Sequence, residues 1–473
     1  MRRTLLLLLV LVAGGAWLIG GAGHGARREH VTTAGVPLDV VHPSGDGARP
    51  GVVVAHGFSG SARLMAPFGD TLAARGYVVV LLDLSGHGAN RRPLPDQVAG
   101  TDASTEALQQ DLGVAVAHLR SLPGVDPARI ALVGHSMGAG AVTRYAAAHP
   151  DVTATVAISL PSAVVASAER PARLLTVVGA LEFPGFRSVA TEVAAQRADR
   201  AVRVVPGVEH ITVLYAPETH RATVDWLDQA FGGPLTGDAL PFPGRRLAGA
   251  AVLVLAFVLG LHPLLVLVGG TPVKPAGRFR LRTVAVAAAA TAAGAVAAWL
   301  LPTTRLPLAI AGYVAAYATV IGAGLLAFAP RGERPAFRPR MLLTIPYAVV
   351  AVAVPVHLGL THALPVGDRW WLLLIVWAAF ALFAFGAERI AGGDPRTLPA
   401  IAAVFVAGLA GAAVTGLTHG FVVLVLVPLI GLLLWQVLWS VLLNRFAVPA
   451  WLIALTGAAV VSWPLAVTLP VVG

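Results

Sequence analysis

Gly134-His135-Ser136-Met137-Gly138 is the stretch of this chain whose residue types and spacing could do chemistry. An apolar run at 129–133 precedes it and an alanine-rich stretch follows, so a strand would pass into a helix at the serine. A turn that tight needs small residues two positions either side. It lifts the hydroxyl off the sheet at a helix N-terminus and aims the Met137 N–H at the place where an oxyanion would form. The chemistry would be nucleophilic attack on an acyl carbon. No cysteine occurs, which excludes thiolate nucleophiles, disulfides and thiolate metal sites. No H-E-x-x-H pattern and no glycine-rich phosphate loop occurs either, and neither a metal nor a cofactor is expected.

Two further motifs accompany the serine. His56-Gly57-Phe58 follows an apolar run at 51–55, and Asp83-Leu84-Ser85-Gly86-His87-Gly88 follows the next. With the serine motif they make residues 30–231 resemble the α/β-hydrolase fold family of serine hydrolases and esterases. The resemblance implies that Phe58 N–H is the second oxyanion donor beside Met137 N–H. It implies structural roles for His56 and for the 83–88 turn. The family orders its triad serine, acid, histidine. Its acid stands last in a G-x-x-D turn, which here is Gly179-Ala180-Leu181-Glu182, with the less common glutamate in that place. Its base stands on the loop after the last core strand, where Pro206-Gly207-Val208-Glu209-His210 puts His210. Glu182 would hold the His210 tautomer, and His210 would take the Ser136 proton. Asp151 and Asp199 fit the strand ends less well, and His24, His30, His42, His87, His118, His149 and His220 do not combine loop position and order. Few residues separate 159 from 174, where many relatives insert a lid, so the site should be open.

The elements that must position these groups are read from pattern. Strands are expected over 51–55, 77–83, 129–134, 153–159, 174–178 and 202–205, with a hairpin or two edge strands over 31–41. Helical stretches at 105–122 and 139–149 lie between them. Alternation of this kind predicts a mostly parallel sheet with helices on both faces.

The rest of the chain differs in texture. The composition is 56% hydrophobic and 12% charged, against about 25% charged in globular proteins. Arg2 and Arg3 precede an apolar run over 5–22, read as an N-terminal membrane anchor or a signal peptide. The domains expected are 1–25 for that segment, 26–231 for the hydrolase, 232–246 for a Pro/Gly-rich linker, and 247–473 for a transmembrane domain of eight runs of spanning length centred near Leu255, Ala290, Val320, Val350, Val376, Val406, Leu432 and Val460. Arg2 and Arg3 inside would put the hydrolase domain outside. Lys274, Arg278, Arg280 and Arg282, then Arg331, Arg334, Arg338 and Arg340, then Arg389 and Arg396, then Arg445 would fall inside. Arg305 and Arg369 would fall outside; Arg245 and Arg246 run against the rule but follow a long translocated domain. Nine spans, N-terminus in, C-terminus out, satisfy these charges.

The net charge of +10 is thus spent on topology, and no basic patch interleaved with aromatics points to nucleic acid. The Ala/Arg/Val/Gly bias resembles a high-GC bacterial genome. His357, His362, Asp368 and His419 near outer helix ends could form a headgroup or proton site, or be interfacial residues with no shared role. His262 is the deeper titratable group. Trp370, Trp371, Trp435, Trp439 and Trp451 read as interface anchors or packing. The expected function is a membrane-embedded serine hydrolase acting on an acyl ester of a lipid or envelope component. A thioesterase, peptidase or acyltransferase would use the same triad, and a transporter or sensor with the hydrolase domain as a binding module is the alternative of another class. The partners expected are an acyl-containing small molecule or lipid and the bilayer.

Overall fold

The computed structural model describes residues 2–473 apart from 24, 46, 97–99, 237–238, 269–271, 274–276 and 331–336. Its contacts divide into two compact units. One comprises Gly14–Ala250 with His357–His362 and Pro470–Gly473; the other comprises Met1–Ala13, Ala251–Val356 and Ala363–Leu469. The chain opens with helix α1 (Arg2–Gly20).

The first unit is built on β1 (Arg27–Thr33), β2 (Val36–His42), β3 (Arg49–Ala55), β4 (Val78–Leu82), β5 (Val125–His135), β6 (Ala154–Ile158), β7 (Leu174–Gly179) and β8 (Ala201–Val205). They form one eight-stranded sheet in the order β1-β2-β4-β3-β5-β6-β7-β8. β2 is antiparallel to both β1 and β4, and every other pairing is parallel. The expected elements over 31–41 are a hairpin, with Thr33 opposite Val36. Strand order reverses between β3 and β5, and it is at such a switch point that α/β sheets place their ligands. β4 reads Val-Val-Val-Leu-Leu with every residue buried, as a strand covered on both faces must be. β8 is the exposed edge, and it carries a charge at Arg203, which discourages pairing with another chain.

Helices α2 (Ala66–Ala74), α3 (Asp102–Ser121), α4 (Met137–Ala148), α5 (Pro184–Ala195) and α6 (Pro217–Phe231) cover the sheet. α3 starts on Thr101, whose hydroxyl accepts the Ser104 N–H. α5 and α6 start on proline, which suits a first helical turn because its missing N–H would have no partner there. The core packs Val54, Leu81, Val133, Val156 and Val177 of the central strands with Phe68, Leu72, Leu227 and Phe231 of α2 and α6. At its margin a buried ion pair locks those two helices. Arg75 donates through Nη2 and Nε to Asp228 Oδ2 at 2.6 and 2.8 Å, and the Tyr77 hydroxyl donates to the other oxygen of Asp228.

The second unit holds α7 (Arg245–Leu267), α8 (Leu281–Leu300), α9 (Ala311–Ala327), α10 (Thr344–Gly359), α11 (Arg369–Ala391), α12 (Thr397–Val414), α13 (Val422–Asn444) and α14 (Ala450–Thr468) over most of their lengths. Eight described helices, α1 among them, are long and apolar enough to cross a membrane; α10 reaches that length with the 3₁₀ turn Pro339–Leu343. The run near Val320 departs from expectation. It forms a helix of 17 residues, about 25 Å long at 1.5 Å per residue, against a hydrocarbon core of about 30 Å. Ile310 explains its late start, because a positive φ of 67° breaks the chain before the first turn.

Lys274, Arg331 and Arg334, on which part of the orientation rests, lie outside the described residues. Arg369 differs from its expected place in an outer loop. It is fully buried at the start of α11, and its Nη1 donates to the carbonyls of Ala466 and Leu469 at 2.8 and 2.7 Å. Those carbonyls end α14, where the helix leaves its acceptors unmet and attracts a cation. His262 is exposed on α7 and meets the Phe446 ring edge-on at 5.3 Å. Trp439 is fully buried, whereas Trp370, Trp371 and Trp451 are exposed.

Truncating Asp228 would leave Arg75 buried without its counter-ion. Asp228→Ala should therefore lower unfolding stability by about 3–5 kcal/mol. The double change Arg75→Met with Asp228→Leu should recover most of that loss in a denaturant titration of the solubilised protein.

Candidate active site

β5 stops at His135 and α4 starts at Met137, so Ser136 alone makes the turn, at φ 52° and ψ −116°. That conformation is costly for a residue with a side chain. Its surroundings hold it. The Ser136 N–H donates to Ile158 O of β6 at 2.8 Å. A side chain on Gly138 would collide with the His56 carbonyl, and one on Gly134 with the Gly138 carbonyl, so three chain segments meet here on glycine.

His210 Nε2 lies 3.0 Å from Ser136 Oγ, and His210 Nδ1 lies 3.0 Å from Glu182 Oε2. With Nδ1–H donating to the carboxylate, Nε2 is free to accept the serine proton. Glu182 Oε1 accepts from Gly179 N–H at 2.7 Å and from the Ser159 hydroxyl at 2.8 Å. The Glu182 side chain is 1% exposed; a carboxylate buried that far needs its oxygens met. Asp151 and Asp199 are occupied elsewhere, paired with Arg120 and Arg197.

Phe58 and Met137 flank the serine. A Cβ on Gly57 would lie 3.1 Å from Ser136 Cβ, so the loop carrying Phe58 abuts Ser136. Met137 is the first residue of α4, and its N–H points out of the helix without an intrahelical acceptor. His56 is scaffold. Its Nδ1–H donates to Gly57 O at 2.8 Å and its Nε2 accepts Leu84 N–H at 3.1 Å. Burial pushes its pKa down to about 4. Asp83 braces the same loop, accepting the N–H groups of Ala62 at 2.7 Å and Ala89 at 2.8 Å, and burial raises its pKa. Ser61 pairs with the Thr361 hydroxyl at 2.8 Å and accepts His362 N–H at 3.0 Å, all within this compact unit.

Two residues of the site were not singled out from sequence. One is Ser159, whose only sequence signal is a polar residue at the C-terminal end of the strand beside β5. The other is His135, whose Nε2–H donates to the His210 carbonyl at 2.9 Å. Burial, reinforced by the nearby His210, pushes its pKa down to about 3, so the ring stays a neutral donor. Phe186 covers His210 with ring centroids 4.8 Å apart. The other described histidines engage groups outside the triad: His30 meets Asp39, His42 Glu29, His87 the Ser85 carbonyl, His118 Thr33, His149 the Tyr145 carbonyl, and His220 Thr71 and the Leu214 carbonyl. His24 lies outside the described residues. Among the candidates near helix ends, His357 and His362 meet edge-on with ring centroids 5.2 Å apart, whereas His419 stacks on Phe421 and Asp368 accepts Trp371 Nε1–H. Around the triad, Val164, Leu181, Phe183 and Ile211 are 82, 67, 51 and 42% exposed. Between β6 and β7 the described chain holds only the 3₁₀ turn Ala163–Val165.

Residues 46–205 match the family model of the serine aminopeptidase S33 hydrolases. Cutinase 1 of Thermobifida cellulosilytica is 28% identical over 120 residues, 25% of this chain and 43% of the cutinase. An uncharacterized protein of Mycobacterium tuberculosis (strain H37Rv) is 33% identical over 144 residues, 30% of this chain and 43% of that one. The chain spans less than half the length of these curated relatives. A solved hydrolase of Thermoplasma acidophilum, described as CIB-like, aligns over 43% of this chain and 97% of its own at 20% identity, with a TM-score of 0.36. The parallel sheet, the turn at Ser136 and the family match define the first unit as an α/β-hydrolase domain.

The buried neutral histidines set an acid limit on stability. His56, His135 and His220 have folded pKa values of about 4, 3 and 4, depressed from 6.5 chiefly by burial. As pH falls below about 6.5 the unfolded chain takes up protons first, and stability is lost towards pH 4 by up to about 1.4 kcal/mol per pH unit for each. His220→Gln should make that slope shallower by one histidine's share; an unchanged slope would contradict neutral burial. Ser159→Ala, which removes one charge-assisted bond from Glu182, should lower kcat about tenfold with KM unchanged.

Proposed function

We propose that the chain is a membrane protein whose hydrolase domain cleaves acyl esters through Ser136, His210 and Glu182. The observation that carries this is the unbroken hydrogen-bond chain from Ser136 Oγ through His210 to Glu182 at a strained strand-to-helix turn. In the reaction, Ser136 Oγ bonds to the acyl carbon while its proton passes to His210 Nε2. The oxyanion is held by the N–H groups of Phe58 and Met137. The imidazolium, stabilised by Glu182, then protonates the leaving alcohol, and an acyl-enzyme remains. Water gives its proton to His210, attacks the acyl carbon, and releases the acid and the serine. Losing one oxyanion donor would raise the barrier by about 2.7–4 kcal/mol.

The substrate reading rests on the rim and on relatives. Val164, Leu181, Phe183 and Ile211 expose apolar surface around the triad, which favours an acyl chain or lipid, and relatives named cutinases favour an ester. The name of the matching family favours a second reading, cleavage of a peptide bond at an N-terminus; the same triad serves both. The protein is read as multi-pass in the cell membrane, with the domain boundaries 1–25, 26–231, 232–246 and 247–473 and the hydrolase domain outside the cytoplasm. The arginines of the short loops support that orientation.

Labelling of intact cells with a membrane-impermeant fluorophosphonate should mark the wild type and not Ser136→Ala. Labelling only after the membranes are opened would reverse the orientation, and none in either preparation would remove the hydrolase reading. On p-nitrophenyl butyrate, Glu182→Gln should lower kcat by roughly 10⁴. Turnover of an aminoacyl p-nitroanilide in preference to the ester would favour the second reading.

A further inference from the structure

Glu388 lies near the C-terminal end of α11, beside Arg389 and after an apolar stretch from Trp370 to Ala387, and is 5% exposed. Across from it, α13 presents Gln436, Ser440 and Asn444 at four-residue spacing, hence on one face. Asn444 Nδ2 donates to Glu388 Oε2 at 2.9 Å, and the Ser440 hydroxyl bonds the same carboxyl group. Gln436 is 7% exposed, and its Oε1 accepts no hydrogen bond among the described residues. Glu388, Gln436 and Ser440 line a single small cavity of about 20 Å³, whose other lining side chains, such as Phe383, Leu398 and Leu433, are apolar.

An amide oxygen buried without a donor is costly, by about 1–3 kcal/mol, and a carboxylate inside a membrane helix is more so. One positive ion in the cavity would answer both. The groups that face it are a carboxylate, an amide carbonyl and a hydroxyl, all hard oxygen ligands of the kind that take hard cations rather than soft ones. A single carboxylate balances a single charge. The cavity holds about one water-sized sphere, which leaves no room for the waters that a divalent ion such as Mg²⁺ retains. We infer that Glu388, Gln436 and Ser440 form a binding site for a dehydrated monovalent cation of the size of Na⁺. Asn444 positions the carboxylate by holding Oε2. This site belongs to the second unit and stands independently of the hydrolase reading.

The test uses the full-length protein in detergent and dicyclohexylcarbodiimide, which modifies carboxyl groups in apolar surroundings, with the labelled residue found by mass spectrometry. Glu388 should be labelled in choline chloride and protected by NaCl at the same ionic strength. In Gln436→Leu the labelling should persist, and protection should need about tenfold more Na⁺. Equal labelling of the wild type in Na⁺ and choline would overturn the site, leaving a hydrogen-bonded carboxyl only, and so would no labelling of Glu388. If Gln436→Leu is not monodisperse, Ser440→Ala provides the same comparison, and the wild-type Na⁺ arm decides by itself.

Discussion

A serine can stand clear of a sheet only where the chain reverses within one residue, and that reversal must be held against its own strain. Backbone of the kind seen at Ser136 costs about 1–3 kcal/mol. Here the cost is met by contact from both sides. Ile158 O takes the Ser136 N–H from β6, and the His56 carbonyl presses on Gly138 from the end of β3. Both contacts exist because β3, β5 and β6 are adjacent and parallel. Their C-terminal ends therefore meet at one edge, and the loop after β3 is delivered to Ser136. Sheet order and catalytic geometry are in this sense one constraint.

The polar groups buried around that edge divide the labour. His56, His135 and Asp83 hold backbone in place, the two histidines as buried neutral rings and Asp83 by accepting the N–H groups of Ala62 and Ala89. A neutral His135 can donate to the His210 carbonyl, and a neutral His56 can bond at both ring nitrogens at once, as donor to Gly57 and acceptor from Leu84. Protonating either ring would convert an acceptor or an idle nitrogen into a buried cation. The same burial that fixes these roles therefore makes the site intolerant of acid.

How much of this was legible in the sequence depended on whether the signal was local. The Ser136 motif, His56-Gly57-Phe58 and the apolar strands declare themselves in a few consecutive residues, and the structure brings Ser136, His210, Glu182, Phe58 and Met137 together at the ends of β3, β5, β7 and β8. Ser159 and His135 act through partners 23 and 75 residues away in sequence; His135 stands inside the serine motif, but the motif does not tell what its ring bonds. Arg369 looked like a loop charge because it stands at a helix start; its meaning comes from carbonyls 97 and 100 residues later. Glu388 was passed over beside Arg389, because adjacent opposite charges near a helix end read as interface. The run near Val320 was legible as an apolar helix but its short length was not, because hydropathy counts apolar residues and does not see the positive φ at Ile310.

The unit of long apolar helices also carries more structure than tethering needs. One apolar helix suffices to hold a domain at a bilayer, and α1, with only 11% of its apolar window buried, has the form of such a helix. α14 is of another kind, with 78% of its window buried. Arg369 caps it, and Trp377 and Trp463 fix it through indole N–H bonds to the Leu455 and Ala363 carbonyls. Between hydrocarbon-like helices, burial of apolar surface gives no preference for one partner over lipid, so specificity comes from such polar contacts and close packing. A helix buried over most of its surface and pinned by a buried cation has a defined place. A bundle that specifies places to this degree, and buries a carboxylate within it, holds a particular internal geometry, which tethering alone does not require.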